Sequence, residues 1–296
     1  MKKYSSIILL ISFMFAGLFD TLKSEPEDGP FVEYYISGQL KSKGNFLDGV
    51  QNGHWQFYYV NEILQSEGNY INGVQDGNWF HYYDNGKIQQ KEFYKLGYPV
   101  EIVSYFKNGN IKEESFLKHD IEDILNLKND TEGVIKKYYE NGNIEYEENY
   151  INGNLSGKWY RFYDTGELWQ EVNCANNSFQ GLFTTYYKNG NKKSEKIYKD
   201  GVQVEGSLST EYYENGMIKV ECIVDRHYIN DEKWGEMEVL GCDSIILYWE
   251  TGFKSAEGKY LEEKKVGKWI YYSKDGIINK EEFFDDKGVL INTKEY

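Results

Sequence analysis

Aromatic residues recur along this chain in adjacent pairs: Tyr34-Tyr35, Tyr58-Tyr59, Tyr82-Tyr83, Tyr105-Phe106, Tyr138-Tyr139, Phe162-Tyr163, Tyr186-Tyr187, Tyr212-Tyr213, Tyr248-Trp249 and Tyr271-Tyr272. Successive first members stand 24, 24, 23, 33, 24, 24, 26, 36 and 23 residues apart. A fixed period of this length marks a repeat architecture. The two long spacings place insertions near 118–133 and 225–243. Other positions keep the same phase. Gly follows four residues after the first aromatic in eight of ten repeats, among them Gly86, Gly142 and Gly190; Gly276 comes one residue late, and Glu62 breaks the rule. Twelve residues after it stands another apolar side chain, such as Phe46, Tyr70, Tyr150 or Cys174, with Phe284 one late. Twenty-one after it comes Trp55, Trp79, Trp159 or Trp269.

Each period therefore reads as strand, tight turn, strand, wider Gly-containing turn. Stretches rich in Tyr, Phe, Trp and Ile suit a pleated surface, and Asn-Gly between apolar runs predicts a type I′ hairpin turn at Gly86, Gly142 and Gly190, with positive φ at both central residues. Frequent Gly and the lack of a 3.6-residue apolar stripe exclude a helix for the repeats. One hairpin alone is marginal in water, whereas hairpins stacked in series bury a continuous core. The prediction is an all-β, elongated solenoid of about ten hairpins in an open single-layer meandering sheet, over residues 31–296. Its repeat positions are Tyr58, Tyr82, Tyr138, Tyr186 and Tyr212, the three turn glycines, and the four tryptophans. Neighbouring residues on a strand face opposite ways, so one ring of each pair enters the core while the other joins an outer ladder. That ladder serves either as a binding surface or only as cross-strand packing. Residues 121–127 in the first insertion suggest one or two helical turns.

The first 19 residues do not share the period. Lys2 and Lys3 precede an apolar run over residues 7–19, too short to span a bilayer and matching a secretory signal peptide, with a short linker over 20–30. This reading makes the protein exported: periplasmic, secreted or envelope-associated. Nothing later in the chain is long and apolar enough for a transmembrane span.

Composition narrows the function. With 33 Lys+Arg against 48 Asp+Glu the formal net charge is −15, which argues against nucleic acid as a partner and favours a basic protein partner. The acidic residues Glu145, Glu147, Glu148, Glu167 and Glu171 lie beside the aromatic ladder. Three cysteines make no disulfide framework; Cys222 and Cys242 bracket the second insertion and either close a bridge or remain thiols, and Cys174 reads as a small buried hydrophobe. His54, His81, His119 and His227 lack metal-ligand spacing, and there is no phosphate loop. Ser104-Tyr105-Phe106-Lys107 spells Ser-x-x-Lys but lies in an ordinary repeat strand. No catalytic residue, metal or cofactor is expected, and the reading is that the protein is not an enzyme.

The pattern Tyr-Tyr-x-Asn-Gly, then Glu-x-x-Tyr, then Gly-x-x-x-Gly-x-Trp resembles the bacterial MORN repeat variant. Its clearest copy runs from Tyr138-Tyr139-Glu140-Asn141-Gly142 through Tyr150 to Gly153, Gly157 and Trp159. The resemblance implies a protein-binding or scaffold module, since MORN proteins are linked to protein–protein contacts and sometimes to membrane lipids. Two other functions stay open: a YwqK-type antitoxin or immunity protein that neutralises a cognate toxin, and a carbohydrate or cell-envelope binder that uses the aromatic ladder. The family brings no catalytic residues.

Overall fold

In the computed structural model, residues 26–118, 132–231 and 235–296 are described; the signal-peptide reading of residues 1–19 and the helical turn expected at 121–127 lie outside them. Every described regular element is a β strand. The chain divides into two compact units, residues 1–109 and 110–296. In the first, strands run in sequence from Gly29–Tyr34 through Leu40–Leu47, Gly53–Tyr58, Leu64–Ile71, Val74–Tyr82 and Ile88–Lys95 to Tyr98–Tyr105, each paired antiparallel with the next. The second repeats this meander from Ile111–Lys118 to Leu290–Glu295. The first strand begins at Gly29, two residues inside the expected linker.

The two turn types are exchanged relative to the sequence expectation. At Tyr83–Gly86 the Gly86 amide bonds the Tyr83 carbonyl at 2.9 Å, and Gly86 has φ 81°. Gly142 and Gly190 repeat this with φ 95° and 85°. Asn85, Asn141 and Asn189 do not take positive φ, so these are not type I′ turns. The i→i+3 bond, a left-handed fourth residue and the return bond from the Tyr83 amide to the Lys87 carbonyl make them turns closed by a glycine bulge. The type I′ loops are the others. Asn72-Gly73, Asn152-Gly153 and Asp200-Gly201 have both residues at positive φ, and the flanking residues Ile71 and Val74 face each other across the first of them. Glu62 does not break the pattern: it takes φ 65° and its amide bonds the Tyr59 carbonyl just as a glycine would.

Two further corrections concern phase. Ser273–Gly276 forms the bulged turn of the tenth repeat, so the pair in register is Tyr272-Ser273, and Gly276 and Phe284 are in phase rather than late. The insertion at 225–243 is a lengthened hairpin: Ile218–Asp231 and Gly235–Tyr248 stay paired from Val220↔Leu247 to Asp231↔Gly235. The Cys222–Cys242 disulfide joins these two strands with Cα atoms 5.6 Å apart, and Cys174 is buried and unbonded.

The first unit is centred on Trp55 and Trp79, each 2 % exposed, and the second buries Val172, Cys174, Val224 and Trp269. The indoles lie over glycines. A Cβ placed on Gly44, Gly68 or Gly258 would come within 2.2–2.3 Å of Trp55, Trp79 or Trp269 respectively. Each of these indole N–H groups donates to a backbone carbonyl, of Asn45, Asn69 and Lys259. In the fifth repeat Glu148 replaces the glycine; Trp159 donates to its carboxylate instead and is only half-buried.

Candidate interaction surface

The aromatic pairs form the frame of each unit. The second member donates its hydroxyl to the carbonyl of the first aromatic one repeat on: Tyr35 to Tyr58, Tyr59 to Tyr82, and Tyr83 to Tyr105, at 2.6–2.8 Å. In the second unit Tyr139, Tyr163, Tyr187 and Tyr213 do the same, and Trp249 uses its indole N–H. The first member donates to a glutamate on a preceding strand. Tyr82 reaches Glu67, Tyr138 reaches Glu114, Tyr186 reaches Glu171, and Tyr212 reaches Glu195; Tyr58 instead donates to Gln56. Apart from the exposed Tyr34, both rings of each pair are half-buried. Strand alternation alone predicts one ring inside and one outside, and the hydroxyls explain the difference: each ring must lie against the sheet for its oxygen to reach a neighbouring strand.

Burial comes first among the causes that push the phenols of Tyr82, Tyr212 and Tyr272 up to about 12, followed by the glutamate each one bonds. Burial also pushes the Glu67 carboxyl up, but bonds from Gln56 and Tyr82 and the nearby His54 outweigh it, so the net shift is downward. Most of the acidic side chains expected to invite a basic partner are occupied within the chain. Glu145 pairs with Lys137 at 3.5 Å and Glu147 with Lys136 at 3.1 Å, Glu148 accepts from Tyr150 and Trp159, and Glu171 accepts from Tyr186.

Asparagines lace the bulged turns together. Asn189 Nδ2 donates to the Glu214 carbonyl of the next turn at 2.7 Å, and its Oδ1 accepts the Asn191 amide. Asn61, Asn141 and Asn215 make the same pair of bonds. The Asn before the left-handed turn residue is thus a staple between repeats and a cap on its own loop, a role that an Asn-Gly dipeptide hides at Asn141, Asn189 and Asn215.

With the frame fixed, the tryptophan-bearing face carries shallow grooves at equivalent positions. In the first unit one is lined by Phe57, Tyr59, Gln65, Ser66, His81 and Gln89. In the second, another is lined by Trp249, Ser255, Tyr271, Asn279, Lys280 and Glu295. Both use the second aromatic of a pair, the residues seven and eight after the first aromatic, and the residue twenty-three after it. Those last three positions vary freely from repeat to repeat: glutamine, serine and histidine in one groove, serine, alanine and tyrosine in the other. Beside the first groove, His81 Nε2 lies 3.0 Å from Glu92, whose carboxyl is held down by that contact. Among the described residues no group of His, Cys, Asp and Glu is arranged to hold a metal ion, and no helix is long and apolar enough to cross a membrane.

A family model described as the MORN repeat variant matches residues 27–48, 51–72, 75–96, 131–152, 155–176, 179–200 and 208–224. No curated protein matches. Among solved structures, chains of TcdB2-TccC3-TEV and TcdB2-TccC3-Cdc42 align at 9 % and 10 % identity over 95 % and 90 % of this chain, with TM-scores of 0.19 and 0.16. This chain spans 17 % of the length of each.

Proposed function

From its membership of the MORN repeat variant family, a non-catalytic family whose repeats are generally protein- or membrane-binding modules, we propose that this chain is an exported protein-binding scaffold. One observation carries the reading. Inter-repeat hydrogen bonds fix the backbone and the tyrosine pairs, while the groove positions on the tryptophan-bearing face are free to vary and so to match a partner. Rigid display of varied side chains is how repeat proteins bind. The cross-strand disulfide supports export, because such bonds persist in oxidising compartments.

The tyrosine ladder itself is packing rather than platform. Its hydroxyls are used internally, and Lys107 and Lys188 lie over the rings of Tyr83 and Tyr163. This counts against sugar stacking on the ladder. The overall charge of −15 still favours a basic partner surface at long range. The test is site-specific photo-crosslinking in the envelope from Gln65 and Asn279 in the grooves and from Asn69, exposed on the opposite face. Adducts of one size from the groove positions and none from Asn69 are expected; equal labelling from all three sites rejects the reading.

A further inference from the structure

Arg161, one of two arginines in the chain, stands at the groove position twenty-three residues after Tyr138, equivalent to His81 and Tyr271. Its guanidinium carbon lies 5.8 Å from the ring centroid of Trp159 and 5.4 Å from that of Trp169. Tyr163 stacks on Trp169 at 5.7 Å, and Phe179 lies 5.7 Å from Trp159. Each indole is therefore flanked by a ring and by the guanidinium.

Among the described residues, the side chain of half-buried Arg161 makes no hydrogen bond and no ion pair. The indole N–H of Trp169 has no acceptor among the described residues, whereas those of Trp55, Trp79, Trp159, Trp249 and Trp269 each have one. Nearby carboxylates are engaged elsewhere: Glu145 with Lys137, Glu147 with Lys136, Asp164 with Lys188, Glu148 with Trp159 and Tyr150, and Glu171 with Tyr186. The free N–H groups of both side chains reach solvent, since neither is among the buried atoms lacking a partner, so an acceptor supplied from outside can approach them and replace water. A planar cation packed against rings keeps its edge available, and that edge is the fork that matches a carboxylate. The rings themselves are already covered by Tyr163, Phe179 and Arg161, which disfavours a sugar ring stacking there.

We propose that Arg161 and the Trp169 indole N–H form a carboxylate-binding subsite for an aspartate or glutamate side chain of a protein partner. The proposal rests on the chain being a protein-binding module, and adds a local preference opposite in sign to the chain's overall charge. It is tested by adding a capped Leu-Glu-Leu peptide, or its Leu-Gln-Leu counterpart, to the 15N-labelled full chain and following the indole N–H resonances.

The Glu peptide is expected to shift the Trp169 resonance saturably, and the Gln peptide to require at least tenfold higher concentration. Arg161→Lys, which keeps the charge but loses the fork, should weaken the response about tenfold, and Arg161→Gln should abolish it while the Trp269 resonance stays in place as a sign of intact folding. If Arg161→Gln does not fold, the peptide pair on the unaltered chain decides. Equal responses to the two peptides, no movement of Trp169, or a stronger response to an oligogalacturonate or to inorganic phosphate overturns the proposal. Failure here alongside retained groove crosslinks removes only the subsite; loss of the groove crosslinks removes the module reading itself.

Discussion

Gly68 stands opposite Trp55 on the neighbouring strand and beneath the Trp79 indole, where a Cβ would meet ring atoms at 2.3–2.5 Å. Gly68→Ala should therefore cost about 1–3 kcal/mol by overpacking, read as an earlier urea midpoint in tryptophan fluorescence; an unchanged midpoint would show that the ring can move aside. Glu62 carries strain of another kind, since a left-handed residue other than glycine costs about 1–2 kcal/mol. Glu62→Gly regains part of this and gives up backbone entropy in the unfolded chain, so a net gain of about 1 kcal/mol is expected in the same measurement. The tryptophans were legible in the sequence because they recur in phase. Their glycine partners were not, because a glycine within a strand reads as a turn former until the ring above it is seen.

Turn chemistry decides what happens at the scale of the hairpin. Asn-Gly appears in both loops of the repeat, at Asn72-Gly73 and at Asn189-Gly190, yet only the first is a type I′ turn. Dipeptide composition does not separate them; the number of residues between the last paired positions does, and that depends on register. Asn189→Ala removes one bond to the next turn and one within its own, and should lower stability by about 1–2 kcal/mol, whereas Asn189→Asp should restore only the bond within the turn. The Tyr–Glu rungs add a pH dependence. The phenols of Tyr82, Tyr212 and Tyr272 are raised to about 12, so their stabilisation is complete below the unfolded value of about 10 and is lost as pH rises towards 12. The carboxyls of Glu67, Glu195 and Glu257 are lowered, so their share is present above about 4.3 and is lost as pH falls below it. Melting temperature against pH should fall at both ends, and the alkaline fall should shrink when Tyr82 is changed to Phe.

For the whole chain, the all-β repeat architecture was legible because the 24-residue period survives two interruptions. The second interruption looks foreign to the repeat in the sequence, but cross-strand pairing simply continues through it. The groove-bearing face was not legible, since its defining positions are those that fail to repeat. Neighbour-to-neighbour bonding predicts that C-terminal truncation in 24-residue steps lowers stability gradually; all-or-none loss with the final repeat would contradict it. Reducing the Cys222–Cys242 bridge frees a 20-residue separation and should destabilise the second unit by about 3 kcal/mol, seen as a selective downward shift of its transition in dithiothreitol.

The asparagine staples have a consequence for how such a molecule ages. If the Asn189 amide loses ammonia, a carboxylate replaces the donor that now faces the Glu214 carbonyl. Two acceptors then oppose each other, and a negative charge arrives in a chain already at −15. Wear would begin at the rim of bulged loops and work inward, with the buried indoles the last to register it.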